Sequence, residues 1–168
     1  MSDRDAAFEA YFAARSDAMR GTAYLLCGDW HRAEDLVQQT FTKLYLGWRR
    51  IQRHEAMDNY TRKTLVRTFL SERRRGWFRF ESVGSPQADR PVDRPGLSPG
   101  LADERIVLLE ALAKVPPRQR AVLVLRYWED ASIEQTAALL DCSAGTVKSQ
   151  AARGLQTLRA LLDEERVR

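Results

Sequence analysis

The sequence has little cysteine and lacks the common catalytic and metal-binding motifs. Its two cysteines, Cys27 and Cys142, lie far apart among 168 residues. Two isolated cysteines make neither a disulfide framework nor a metal-binding spacing, so we expect small, buried or half-buried thiols. A glycine-rich phosphate loop, an H-E-x-x-H helix and a serine in a nucleophile elbow are also missing. These absences argue against an enzyme and predict neither a cofactor nor a metal.

Long apolar runs are missing as well. No run approaches the ~20 residues that a membrane span needs. Residues 1–5 lack the basic-then-apolar form of a signal peptide. We therefore expect a soluble, cytoplasmic protein without membrane insertion. The chain is 44% hydrophobic and 30% charged, within the globular range, and its net charge of +4 fits a polyanionic partner.

The pattern of apolar residues predicts an all-α fold of two small domains. Residues 6–75 and 103–162 both repeat apolar side chains at helical spacing. Residues 76–102 between them are rich in proline and glycine and have no helical period, which predicts a flexible linker.

Local signals divide the first domain into helices. The apolar pattern breaks at Gly28, and Asp29 is suited to cap the helix that follows. Residues 49–59 have little periodicity and indicate a loop or a frayed helix end, after which a helix is expected from about Tyr60 to Arg75.

Positive charge is concentrated on this last helix, where Glu72 is the opposing acid. Its outward cations are Arg62, Lys63, Arg67, Arg73, Arg74 and Arg75. Such a stripe can neutralise several phosphates and release their counterions, which drives binding to nucleic acid. The alternative is a solvated helix face with a basic C-terminus that suits the helix dipole.

The second domain ends in a pattern typical of a helix-turn-helix. Pro117 can start a helix over residues 118–128 with Trp128 facing inward. Ser132 and Gln135 have capping-box spacing, which predicts the start of the next helix. Gly145 is expected to close the turn, because glycine adopts backbone angles that other residues resist.

The final helix has an apolar stripe and an opposite face that is polar and basic. The stripe contains Val147, Ala151, Leu155, Leu158 and Leu162. Thr146, Ser149, Gln150 and Arg153 lie largely away from it, with Lys148 to one side. Small side chains with hydroxyl, amide and cationic donors suit a helix inserted in the DNA major groove. An ordinary helical hairpin with a solvated face is the alternative.

Four stretches together carry a resemblance to a known family. They are residues 33–41 (AEDLVQQTF), residues 60–75, residues 112–120 with 126–130, and residues 142–149 (CSAGTVKS). In this order they resemble the extracytoplasmic-function (ECF) sigma factors of RNA polymerase, a group of the sigma-70 family. Among these, the sequence is most similar to the actinobacterial SigE-like subgroup.

The resemblance implies a role for each stretch. Residues 6–75 would correspond to sigma region two and residues 103–162 to region four, with the linker near the RNA exit path. Residues 52–59 would capture an extruded base of the minus-ten element, beside Arg62, Lys63, Arg67 and the three arginines 73–75. The polymerase-binding residues would be Asp35, Gln38, Gln39 and Phe41, and the minus-thirty-five element would be read by Ser143, Thr146, Lys148, Ser149 and Arg153.

The implied function is promoter-specific initiation by a subunit without catalysis of its own. Its partners would be core RNA polymerase and promoter DNA, and an anti-sigma factor is a further partner that the resemblance allows. A stand-alone helix-turn-helix regulator with an N-terminal sensing or dimerisation domain is the alternative, although it would not need a second DNA-binding helix. A helical adaptor protein would explain the amphipathic helices but not the placement of charge.

Overall fold

The regular structure of the described residues is helical, which confirms the all-α fold class. The computed structural model describes residues 2–51, 54–76 and 99–168, without the side chains of residues 54, 55, 76 and 99–101. The helices are α1 (Asp3–Cys27), α2 (Trp30–Gly47), α3 (His54–Gly76), α4 (Pro99–Lys114), α5 (Pro117–Leu123), α6 (Ile133–Leu140) and α7 (Ala144–Val167). The predicted linker covered residues 76–102, but residue 76 belongs to α3 and residues 99–102 belong to α4, so the linker prediction is wrong at both ends. Residues 77–98 lie outside the described residues.

Capping residues fix the ends of α1 and α2. Ser2 begins α1 through a reciprocal capping box with Asp5. Gly28 ends α1 at φ 71°, a left-handed conformation that favours glycine. Asp29 then accepts hydrogen bonds from the backbone nitrogens of His31 and Arg32, at 2.7 and 3.3 Å. The predicted break and cap are therefore confirmed.

Aromatic side chains fill the contact between α1 and α2. Phe41 lies at the centre, with its ring centroid 4.8 Å from that of Phe12 and 6.3 Å from that of Phe8. Phe8 also packs edge-on against Trp48, at 5.4 Å between centroids. Phe41 is only 3% exposed, so it belongs to the core rather than to the edge of the polar face.

Helix α3 begins earlier than the sequence indicated. It starts at His54 rather than near Tyr60. The Tyr11 hydroxyl lies 2.9 Å from both Asp58 Oδ1 and Thr61 Oγ1, which ties the first turns of α3 to α1. The expected inward residues Leu65 and Phe69 are buried, as predicted.

A wide turn follows α5 and changes the register of the chain. Residues 124–128 form a π-helical turn, in which the Glu129 nitrogen donates to the Val124 oxygen at 3.0 Å. The extra residue in this turn rotates the following side chains. Trp128 is consequently 46% exposed, and its predicted inward position is wrong.

The helix-turn-helix is present, but Gly145 does not close its turn. The capping box of Ser132 with Gln135 at the start of α6 is confirmed. Asp141 ends α6 in the left-handed backbone conformation, at φ 57°. Ser143 then caps the start of α7. Gly145 instead lies within the first turn of α7. Aspartate tolerates the left-handed region better than most residues, so the turn does not require glycine.

The two halves of the chain pack on each other and share one core. Helix α1 contacts α4 and α5, and α3 contacts α5 and α6. One continuous apolar cluster runs from Leu26 and Phe69 in the first half to Val122 and Leu125 in the second. The candidate binding residues of both halves are therefore held in a defined arrangement.

Candidate nucleic-acid interface

The polar face of α2 presents three of its four predicted polymerase-binding residues. Asp35, Gln38 and Gln39 are exposed. Gln39 Nε2 donates to Glu72 Oε1 of α3 at 2.5 Å, which restricts its rotamer. Phe41 lies beneath this face and supports the helix through its ring contacts, so its side chain does not form part of the surface.

The cations of α3 do not form one uniform stripe. Arg74 and Arg75 are exposed, and Lys63 is half-buried. Arg73 lies over the Phe69 ring, with Cζ 5.6 Å from the ring centroid. Burial, followed by the charge of Arg32, lowers the pKa of Arg73 from its ordinary value.

The other two cations of α3 form ion pairs with the second half of the chain. Arg62 Nε lies 2.8 Å from Glu129 Oε2. Arg67 Nη2 lies 3.1 Å from Asp141 Oδ2. These two predicted DNA-contacting guanidinium groups thus already have acidic partners in this structure.

Glu129 is a central residue of this contact that sequence reasoning missed. Its side chain is 11% exposed. One carboxylate oxygen pairs with Arg62, and the other accepts a hydrogen bond from the Thr22 hydroxyl of α1. These partners are 67 and 107 positions away in the sequence, so no local pattern identifies the residue.

Arg120 is a second residue that the sequence analysis missed. It is 3% exposed, and its guanidinium reaches the C-terminal carbonyls of α1 and α4. Nη1 donates to the Leu26 oxygen at 2.6 Å, and Nη2 donates to the Ala113 and Val115 oxygens, each at 2.7 Å. Burial lowers the pKa of Arg120 to about 10, so the group remains charged at neutral pH. Helix C-termini favour such a cation.

The N-terminal part of α7 carries the predicted minus-thirty-five residues along a short stretch of helix. Ser143 Oγ accepts from the Thr146 nitrogen at 3.1 Å, so this hydroxyl caps the helix. Ser149 Oγ donates to the Thr146 oxygen at 3.1 Å. Lys148 and Arg153 extend from exposed positions. The arrangement brings hydroxyl donors and two cations to the start of one helix.

A close approach between helices sets the position of α7. A Cβ built on Gly154 would lie 3.1 Å from both Cγ and Cδ1 of Leu123 in α5. The absence of a side chain at Gly154 therefore lets α7 pack closely against α5.

The two cysteines differ in burial. Cys27 is buried and Cys142 is half-buried, both as free thiols, as predicted. Burial raises the pKa of Cys27 to about 12. In the described part of the chain, no helix has both the length and the hydropathy to cross a membrane.

Comparison with known proteins identifies two regions of a known family. The family profile for sigma-70 region 2 matches residues 4–79, and that for sigma-70 region 4 matches residues 105–158. The chain is 38% identical to the RNA polymerase sigma-E factor of Streptomyces coelicolor, over 90% of this chain and 84% of that protein. It is 34% identical to the ECF RNA polymerase sigma factor SigE of Mycolicibacterium smegmatis, over 88% of this chain and 58% of the relative.

A solved structure supports the same conclusion. The sigma factor RpoE of Bartonella quintana, crystallised with the anti-sigma factor NepR, has a TM-score of 0.73 and 26% identity, covering 93% of this chain and 96% of that one. A stand-alone regulator is not favoured, because the first half of the chain matches sigma region 2. The chain therefore belongs to the ECF sigma factors of the sigma-70 family and directs promoter-specific transcription initiation by binding core RNA polymerase and promoter DNA.

Proposed function

We propose that this sigma factor divides its function between its two helical halves. Residues 6–75 bind core polymerase and the minus-ten element, and residues 103–162 bind the minus-thirty-five element. Residues 76–102 connect them along the RNA exit path. The chain acts in the cytoplasm and supplies no catalysis of its own. The observation that carries this proposal is a difference in charge: the exposed residues Asp35, Gln38 and Gln39 of α2 carry no positive charge, whereas the exposed predicted DNA-contacting residues of α3 and α7 include several cations.

Asp35, Gln38 and Gln39 form the proposed polymerase contact. Their carboxylate and amide groups offer directional hydrogen bonds without the positive charge that a DNA surface needs. The bond between Gln39 and Glu72 pre-orders one of these groups, which reduces the entropy lost on binding. Phe41 contributes indirectly by holding α2 against α1.

The first turns of α3 and its cations form the proposed minus-ten contact. Residues 52–59 capture a base extruded from the duplex, and flipping that base costs a few kcal/mol that new contacts must offset. Arg62, Lys63 and Arg67 then bind the neighbouring phosphates, with Arg73–Arg75 extending the cationic surface.

The start of α7 forms the proposed minus-thirty-five contact. A helix N-terminus favours phosphate, because its backbone nitrogens and its dipole both face the anion. Ser143 and Thr146 lie at this terminus, and Ser149 follows them. Lys148 and Arg153 supply longer donors that reach phosphates or base edges.

An anti-sigma factor is a further proposed partner. The similar RpoE of Bartonella quintana was crystallised with the anti-sigma factor NepR. The present chain matches RpoE over both halves, so we infer that it accommodates a regulator of the same kind.

Reconstitution tests the proposed function. Sigma-free core polymerase with the purified chain and a genomic library should produce transcripts from discrete starts that share two upstream elements. The double variant Asp35→Ala/Gln38→Ala should weaken holoenzyme assembly in a pull-down, whereas Glu9→Ala, an exposed acid of α1, should not. Unchanged assembly of the double variant would remove the α2 face from the polymerase contact, and transcription without discrete starts would contradict the function.

A further inference from the structure

The start of α3 is held against α1 through both oxygens of one carboxylate. Asp58 Oδ1 accepts a hydrogen bond from the Tyr11 hydroxyl at 2.9 Å, and Asp58 Oδ2 lies 2.8 Å from Nη2 of Arg15. The Tyr11 hydroxyl also lies 2.9 Å from Thr61 Oγ1, about one turn further along α3. Burial raises the pKa of Tyr11 to about 12, so at neutral pH its hydroxyl keeps the proton that it donates. Two consecutive turns of α1 thus bind the same carboxylate.

The ring of Tyr11 is itself fixed by aromatic packing. Its centroid lies 5.6 Å from that of Trp48 and 6.4 Å from that of Phe41. Trp48 and Phe41 are 7% and 3% exposed, so the ring rests on the buried contact between α1 and α2. A side chain whose rotamer is locked by packing holds its hydrogen-bond partner in a narrow range of positions. The carboxylate of Asp58 is therefore tied to a well-packed part of the molecule.

The first turns of α3 have one side that faces the protein and one that faces solvent. Met57 is 5% exposed and Asp58 is half-buried. Ala56, Asn59 and Tyr60 are exposed. The Asn59 amide has both donor and acceptor groups for a base edge, and the Tyr60 ring, 41% exposed, offers a surface on which a base can stack. The bonds made by Asp58 consequently set where these two exposed groups lie.

We propose that Tyr11 and Arg15 of α1 are positioning residues for minus-ten recognition, which act through Asp58 on the first turns of α3. The inference rests on the proposed capture of an extruded base by residues 52–59. Ordering a segment at the moment of binding costs conformational entropy, and a segment that is already held in place loses less. The two bonds to Asp58 order the start of α3 in the free chain, so its exposed groups meet the base in a defined position.

The test begins with a double variant that removes both bonds from α1. Tyr11→Phe/Arg15→Met, the positioning variant, deletes the hydroxyl and the guanidinium that bind Asp58. The phenylalanine ring keeps the aromatic packing of Tyr11, and methionine keeps much of the length of the arginine. Far-UV circular dichroism verifies that the variant folds. If the double variant loses helix content, the single substitution Tyr11→Phe replaces it.

Tyr45→Phe/Arg20→Met is the matched control. The Tyr45 hydroxyl donates to Asp5 Oδ1 at 2.9 Å. The Arg20 guanidinium lies 2.8 Å from Asp17 Oδ1 and 3.0 Å from Glu34 Oε1. The control therefore loses the same two kinds of group, each bonded to a carboxylate, but these bonds lie within α1 or between α1 and α2. The bonds from α1 to the start of α3 remain.

Binding of holoenzyme to forked DNA separates positioning from general stability. The DNA carries the minus-ten element of a promoter mapped in the reconstituted system, with the nontemplate strand either intact or abasic at one position at a time. The unmodified chain should lose affinity when the captured base is missing. The positioning variant should bind the intact DNA about three- to tenfold more weakly than the unmodified chain, a coupling of ordinary size for groups in one network. On DNA without the captured base, the two proteins should bind equally well, and the control should match the unmodified chain on both DNAs.

Two results would overturn the positioning role. One is an equal loss of affinity on intact and abasic DNA, which would assign the effect to a general loss of structure. The other is a positioning variant that discriminates between the two DNAs as strongly as the unmodified chain. If the unmodified chain loses affinity at no abasic position, the proposed base capture is itself contradicted, and this inference with it. Measuring the unmodified chain first therefore distinguishes a failure of the proposed function from a failure of the positioning role.

Discussion

Arg120 and Arg118 lie two positions apart on one helix and have opposite environments. Arg118 is exposed, whereas Arg120 is buried and bridges the ends of two helices. Among the described residues, the hydrogen-bond partners of the Arg120 guanidinium are backbone carbonyls rather than carboxylates. Its planar guanidinium reaches three carbonyl groups at once, which a lysine ammonium on a single stem cannot do.

Replacement of Arg120 should therefore destabilise the protein. Arg120→Met leaves the carbonyls of Leu26, Ala113 and Val115 without this donor, at a cost of about 2–4 kcal/mol in the free energy of unfolding. Arg118→Met should change it by less than about 0.5 kcal/mol, as is usual for an exposed position. Urea denaturation measures both, and equal effects of the two substitutions would contradict the bridging role.

A substitution of Arg153 tests the proposed contact of α7 with the minus-thirty-five element. Arg153→Ala should weaken binding of holoenzyme to the upstream element by about 1–3 kcal/mol if it contacts a base edge, and by less if it contacts phosphate. Arg159→Ala, six residues further along the same exposed helix, is the matched control. Promoter titrations at two salt concentrations separate the cases, and an unchanged affinity would exclude Arg153 from the site.

For single residues, the sequence analysis correctly predicted the features that depend on residues nearby in the sequence. Asp29 and the Ser132–Gln135 box were identified, because a cap is recognised from residues two or three positions apart. Glu129 and Arg120 were missed, because their partners lie far away in the sequence. The burial of Phe41 was also missed, since a helical face alone does not show how far a ring reaches into its neighbour.

At the level of elements, helix identity was predictable and helix boundaries were less so. Helix α3 extends back to His54 because Asp58 and Thr61 bond to Tyr11, a contact between helices that local periodicity does not reveal. The π-helical turn at residues 124–128 was not predictable either, and it displaces Trp128 while directing Glu129 inward. Asp141 was able to take the left-handed position that glycine was expected to fill.

The packing of α7 against α5 gives a prediction for an element. Gly154→Ala should lower the free energy of unfolding by about 1 kcal/mol, because crowding against Leu123 outweighs the gain in helix propensity. Gly145→Ala should instead stabilise α7 by up to about 1 kcal/mol, since its nearest neighbour, Ser143 Oγ, would be 3.8 Å from the new Cβ. Thermal unfolding compares the two, and a stabilising effect of Gly154→Ala would show that α7 shifts freely.

For the whole molecule, the two halves were predicted correctly as helical units, but not their mutual packing. Periodicity shows which side of each helix is apolar, and it does not show which helix of the other half covers it. The shared core and the pairs formed by Arg62 and Arg67 depend on the three-dimensional meeting of α1, α3 and α5.

The thiol of Cys27 offers a reporter of this global arrangement. Its raised pKa means that little thiolate exists in the folded protein at pH 8, and that proton release requires a pH approaching about 12. The native chain should therefore alkylate first at half-buried Cys142, with Cys27 reacting only on opening or unfolding. Pulse alkylation followed by peptide mass spectrometry measures both rates. Equal alkylation rates of the two cysteines at pH 8 would contradict the burial of Cys27. Because burial favours the thiol of Cys27 over its thiolate, the free energy of unfolding should fall as the pH rises from about 9 towards 12.

One hydrogen bond joins two residues that lie far apart in the sequence, and this distance has a consequence during translation. The Leu26 carbonyl is synthesised 94 positions before its partner Arg120. At ~5–20 residues per second, a ribosome needs roughly 5–19 s to cover that interval. Throughout that time the nascent first half has no second half to pack against, and its cationic helix faces solvent. We therefore expect Arg62 of a nascent chain to stay accessible to solvent until Glu129, its partner in the complete fold, has been synthesised.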